Sequence, residues 1–355
     1  MPAPVAVRAA ATRLDWVDVA KGLAILGVVA YHAGLFLTPL GLVDGWQADA
    51  TRVVALSASL PLFFFASGLF AQRLLTDSFG ELFRRRLWPL LHLYVLWSTV
   101  RFAVFQFVPW VLPTSDPSDW REPALMLVLP NGGLWFLYAL VLYSIAAWAS
   151  RRSSPAVLLT VAAVVSVLFT SGVLSTGNTG WDKTGANVFW FFAALHLRER
   201  VLERVARLDA RAAFVSTAAF VVVAGALVAD LLPLGRLVAV GLAPLAVVAG
   251  VSLSTTLAGT RTGRPLRHLG ERTLAVYLVH YLPIAVACGV LSTSASLVAA
   301  VSPATPALPL VLTVAATALS LLAWRLLGGV PGVFSVPGGR PRRERVEQAV
   351  RAPAA

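Results

Sequence analysis

The sequence predicts an all-α integral membrane protein of about ten transmembrane helices, with both termini in the cytoplasm. Three observations predict it. Hydrophobic residues make up 58% of the 355-residue chain and charged residues only 13%, with a mean hydropathy of +0.77. Soluble domains average about half apolar and a quarter charged. Apolar runs of near span length recur from end to end. Finally, the basic residues gather in alternate connections between those runs.

The runs lie near 17–37, 53–72, 87–108, 132–149, 155–174, 186–197, 212–232, 237–257, 273–291 and 308–327. The sixth is the shortest. With the N-terminus in the cytoplasm, 23 of the 29 Lys and Arg residues fall in cytoplasmic segments. The outer loops hold Arg52, Arg121, Lys183 and Arg236, while Lys21 and Arg101 lie within spans. This asymmetry is the positive-inside pattern, and it accounts for the net charge of +12 without nucleic-acid binding. No basic patch interleaved with aromatic residues resembles a nucleic-acid module.

Before the first run, residues 1–16 read as a cytoplasmic segment, and the run has no small-residue cleavage site of a removed signal peptide. Residues 17–330 form the transmembrane domain. Residues 331–355, rich in Pro, Gly and Arg, read as a disordered cytoplasmic tail lying on anionic lipid. The single cysteine, Cys288, rules out a disulfide framework and a cysteine-rich metal site. No phosphate-binding loop, nucleophile elbow or zinc helix motif occurs, and no metal is expected.

The first run, DWVDVAKGLAILGVVAYHA, carries Asp18, Lys21 and His32. Ionisable groups in a span are costly and face a protein interior or a water-filled cavity. Lys21 and His32 are eleven residues apart, close to three helical turns, and Asp18 precedes Lys21 by three, so all three share one stripe. His32 lies roughly 16 Å further along the axis than Lys21. Lys21 alone reads equally as a snorkelling anchor and Asp18 as a helix-start residue. His32 is too deep to snorkel, and is the first candidate for chemistry.

Other spans add candidates. Arg101 should reach the depth of His32, to orient an acceptor, stabilise an oxyanion or form an ion pair. His280 lies near the middle of the ninth span, to bond a substrate or another polar group. Trp135, at the outer end of the fourth, suits either a membrane belt or stacking on a sugar. Asp44, Asp49, Asp116, Asp119 and Asp182 are outer-loop carboxylates that could meet sugar hydroxyls or simply be solvated.

RLDWVDVAKGLAILGVVAYHA resembles the first helix of the acyltransferase family 3 membrane proteins, whose signature is a basic residue, ten positions, then His. Asp-Trp-x-Asp-x-x-Lys-Gly is similar to the fucose 4-O-acetylase-like branch. PLFFFASGLF (61–70), GGLWFLYAL (132–140) and LAVYLVHYLPI (274–284) resemble further family segments, in the family's order. One feature departs: the family's Arg-x-x-Arg at the third span is replaced by consecutive Arg84, Arg85 and Arg86. The resemblance implies a ten-span enzyme that takes an acyl group, expected to be acetyl, from cytoplasmic acyl-CoA and delivers it to a carbohydrate or glycoconjugate hydroxyl of the cell envelope. It implies a plasma-membrane location. Lys21, Arg84, Arg85 and Arg86 would hold the CoA phosphates, with Asp18 supporting Lys21. His32 would act as general base or as acyl-carrying nucleophile. Arg101, Trp135 and His280 would serve the substrates. A transporter or flippase is the rival, although the paired broken helices of that class are not evident.

Overall fold

A computed structural model describes residues 14–107, 121–130, 132–232 and 235–336. Helices make up nearly all of the regular structure, and no strand occurs among the described residues. The main helices are α1 (Asp15–Leu37), α2 (Gly45–Leu69), α3 (Phe79–Phe105), α4 (Trp135–Ala149), α5 (Pro155–Thr170), α6 (Thr179–His196), α7 (Arg198–Val205), α8 (Ala210–Val228), α9 (Gly235–Leu257), α10 (Gly263–Gly270), α11 (Thr273–Ser292) and α12 (Leu308–Leu327).

Each of the ten apolar runs coincides with one of these helices. Seven among the described residues are long and apolar enough to cross a membrane: α1, α2, α3, α8, α9, α11 and α12. α4 and α5, at 15 and 16 residues, fall short of the roughly 20 that span a hydrocarbon core. α6 has 18 residues, but its first turns are polar. The amphipathic α7 and α10 are short connecting helices.

Several boundaries differ from the sequence reading. α1 begins at Asp15, and Trp16 is already in the core, so the helix takes in the end of the expected N-terminal segment. α2 and α3 start eight residues early, each passing through one wide π-type turn, at Ala55–Ser59 and Phe83–Leu87. In α3 the Ser78 hydroxyl accepts the Glu81 N–H, and the Glu81 carboxylate accepts the Ser78 N–H in return. This reciprocal cap starts the helix within polar sequence, so Arg84, Arg85 and Arg86 ride on it rather than precede it. α6 starts seven residues early because the Asn178 side chain accepts the Trp181 N–H at 3.0 Å. Lys183 is therefore a helical residue, not a loop residue.

α1 is the central helix. It packs against α10, α12, α9, α2 and α11, and most of its surface is buried. Its close partner is α10: Gly22 faces the Leu266 backbone carbonyl, and Gly270 faces that of Asp18, with no room for a Cβ at either place. The outer surfaces of α5, α8 and α12 expose Val161, Val164, Val221, Val222, Leu310 and Val314, as helices solvated by lipid do. After α12, residues 331–336 turn back onto α3. The Trp97 indole N–H donates to the Val333 carbonyl at 2.8 Å, His92 Nε2 donates to Gly332 O at 2.8 Å, and Phe334 packs on the Trp97 ring. The expected free tail is thus packed over its first six residues. Residues 337–355, with all of the tail's arginines, lie outside the described residues, as do Arg8, Arg13, Asp116 and Asp119.

Candidate active site

Three helices, α1, α3 and α11, bring the buried ionisable residues together. His32 and His280 are 9% and 1% exposed, and Arg101 is 5% exposed. His32 Nδ1 lies 3.0 Å from His280 Nε2, a pairing across 248 residues of sequence. His280 occupies a break in α11. Pro283 follows three residues later, and a proline there opens the helix by removing an N–H and crowding the carbonyl four residues back.

The partners assign the tautomers. His280 Nδ1 faces the Val276 carbonyl at 2.8 Å, which can only accept, so Nδ1 carries the His280 proton. The neutral ring then has its lone pair at Nε2, and His32 Nδ1 must donate to it. This leaves Nε2 of His32 as the basic nitrogen of the pair. His280, expected to meet a substrate or another polar group, makes the second kind of contact: it fixes the orientation and tautomer of His32.

Arg101 is held by aromatic faces, with its guanidinium carbon 3.9 Å from the Tyr281 centroid and 5.6 Å from that of Phe105. Tyr281 also meets the His32 ring edge-on at 5.1 Å. Arg101 thus reaches the depth of His32, as expected. Gly133 permits its approach, since a Cβ there would lie 3.1 Å from Arg101 Nη1. The Tyr277 hydroxyl donates to the Gly133 carbonyl at 2.7 Å, which ties the GGLW turn to α11.

A cavity of about 160 Å³ runs along α1. Lys21 and Thr273 line one end; Tyr31, His32, Trp135 and Lys183 line the other. Phe63, Leu140 and other apolar side chains wall the middle. Lys21 and His32, about three helical turns apart on α1, thus line the same cavity. Lys21 Nζ pairs with Asp18 at 2.7 Å, and Asp18 is itself buried, so the two residues act as a unit.

The arginine run does not join this cavity. Arg84 and Arg85 are exposed. Arg84 donates to the Gly80 carbonyl, and Arg85 pairs loosely with Asp77 and Glu81 at 3.9 and 3.7 Å. Arg86 donates from Nε to the Ser144 hydroxyl at 2.7 Å and lies over Phe191. Consecutive positions on a helix point about 100° apart, so three adjacent arginines cannot face one ligand as a tight cluster. Among the carboxylates, Asp182 accepts from Ser175 and twice from Thr176 within its own turn, and Asp44 opens α2. Both have local structural roles.

Sequence reasoning missed Lys183 and Tyr31. Lys183 Nζ stands 5.5 Å from the Tyr31 centroid and 5.9 Å from that of Trp135. Its position inside α6 depended on one capping asparagine in a polar stretch, a weak signal beside the hydropathy of the run that follows.

A bundle of apolar helices thus surrounds one cavity, with an ion-paired lysine at one end and a hydrogen-bonded histidine pair at the other. Residues 14–325 match the acyltransferase domain of acyltransferase family 3, and the chain belongs to that family. No curated protein and no solved structure matches the chain.

Proposed function

We propose that this membrane acyltransferase moves an acetyl group from cytoplasmic acetyl-CoA to a hydroxyl of a cell-envelope carbohydrate or glycoconjugate at the plasma membrane, with His32 as general base. The observation that carries this reading is the single cavity joining Lys21 to His32. Two polar ends about three helical turns apart suit a donor with a polyanionic head and a thin arm. Lys21, held by Asp18, meets the head at the cytoplasmic end, and the arm lies along the apolar wall with its thioester near His32. Arg84 and Arg85, exposed near the same end of the bundle, attract the phosphates at longer range, and Arg86 braces the helix that carries them. Trp135 offers an aromatic face to the acceptor sugar, and Arg101 fixes Tyr281 against the imidazole.

The tautomer chain suits a general base, which needs no second covalent intermediate. It leaves one lone pair on His32 and stabilises the positive charge that develops when that nitrogen takes a proton, as a hydrogen-bond acceptor behind a catalytic imidazole does. The test uses purified protein in nanodiscs with radiolabelled acetyl-CoA and envelope saccharides. Wild type should transfer label, and His32→Ala should lose about 10²- to 10⁴-fold in turnover while its thermal midpoint stays near wild type. Transfer by His32→Ala near the wild-type rate would remove His32 from the chemistry. A folded wild type that turns over no donor with any acceptor would favour a transporter instead.

A further inference from the structure

We infer that Lys183 is a second catalytic residue, the group that stabilises the oxyanion formed at the acyl carbonyl. The inference rests on the acyl-transfer reading above. Among the described residues that line the cavity, the cations are Lys21 and Lys183, and only Lys183 shares the end that holds His32. Arg101, the earlier candidate for this task, does not line the cavity, and Tyr281 and Phe105 cover its guanidinium faces.

The position of Lys183 is built, not incidental. The first turn of α6 is fixed on several sides. Asn178 caps it, Gly180 lets it rest on the Pro130 carbonyl, and the Trp181 indole N–H donates to Val128 O at 3.2 Å. The Tyr143 hydroxyl donates to the Thr184 carbonyl, and Asn187 Nδ2 donates to the Lys183 carbonyl at 2.9 Å. This anchored turn delivers the ammonium across the faces of Tyr31 and Trp135, and the Tyr31 and His32 rings are themselves 5.2 Å apart. No carboxylate is among the described residues lining the cavity. A charge that appears only during reaction is what preorganised donors in a dry site stabilise most.

In the step itself, the acceptor O–H gives its proton to His32 Nε2 as its oxygen bonds to the thioester carbon. The carbonyl electron pair moves to oxygen, and the Lys183 ammonium donates a hydrogen bond to that oxyanion while keeping its own protons. The C–O double bond then re-forms, the C–S bond breaks, and the leaving thiolate takes the proton from the His32 imidazolium. The products are the ester and CoA.

The experiment compares wild type, Lys183→Met, Lys183→Arg and Lys183→Ala in nanodiscs, measuring free CoA thiol with acetyl-CoA and an accepted saccharide. Donor binding is measured separately with a non-transferable thioether analogue of acetyl-CoA. Lys183→Met should lose about 100-fold or more in kcat with little change in KM or analogue affinity. Lys183→Arg should recover at least part of the loss, and methylammonium should rescue Lys183→Ala. The chemical rescue reads out the role even if the Met variant folds poorly. An active wild type with Lys183→Met within about threefold in kcat overturns the proposal. So does a rise in KM for acidic acceptors alone, which would make Lys183 an acceptor anchor. A folded wild type without turnover removes the acyl-transfer reading and this inference with it, an outcome distinct from either.

Discussion

His280 and His32 should tolerate different replacements, and that difference tests their roles. In the proposed mechanism His32 supplies a lone pair to the substrate, whereas His280 only accepts a hydrogen bond from His32. His280→Ala should lower kcat on the order of 10- to 100-fold, a share of the 10²–10⁴ that a positioned base supplies. His280→Gln, whose amide oxygen can accept from Nδ1–H, should restore part of it. A merely structural histidine would show the same thermal loss for both variants and no selective recovery. The comparison is made by kcat and thermal midpoint together.

At the scale of the element, the crossing of α1 and α10 sets where Lys21 and Asp18 stand. Gly22 and Gly270 face backbone carbonyls, which cannot swing aside as a flexible side chain can. Gly270→Ala should therefore separate the helices, cost roughly 1–3 kcal/mol as overpacking does, and weaken acyl-CoA affinity. Thermal unfolding and donor titration check both effects. Helix positions were largely legible in the sequence because hydropathy acts within one segment: each expected run overlies an observed helix. The early starts of α3 and α6 were not, because capping by Ser78 with Glu81 and by Asn178 extends a helix into polar sequence that hydropathy reads as loop. The site divides the same way. His32, His280 and Arg101 stand out singly as ionisable residues in apolar runs, yet nothing in local periodicity says that His32 meets His280. The arginine run looked like one cluster in sequence, and helical rotation disperses it.

At the scale of the whole molecule, the basic loops predict an orientation that labelling can test. With Cys288 replaced by Ala, single cysteines at Arg204 and Arg261 should react only with reagent supplied to the cytoplasmic face, and one at Asp49 only from the other. Residues 331–336 add a second whole-chain feature. A chain stopped after Val330 should lose the bonds to Trp97 and His92, each worth about 0.5–1.5 kcal/mol, and melt lower in detergent. A midpoint unchanged from wild type would show the segment to be dispensable.

The turn of residues 331–336 onto α3 also bears on how the protein is made. The indole N–H of Trp97 waits for a carbonyl 236 residues downstream, and His32 waits 248 residues for His280. The early helices enter the bilayer with these polar groups unsatisfied, and synthesis must run nearly to completion before both are matched. A partly translated or prematurely terminated chain thus carries its own mark of incompleteness inside the membrane, legible to any quality-control protease that samples exposed polarity there.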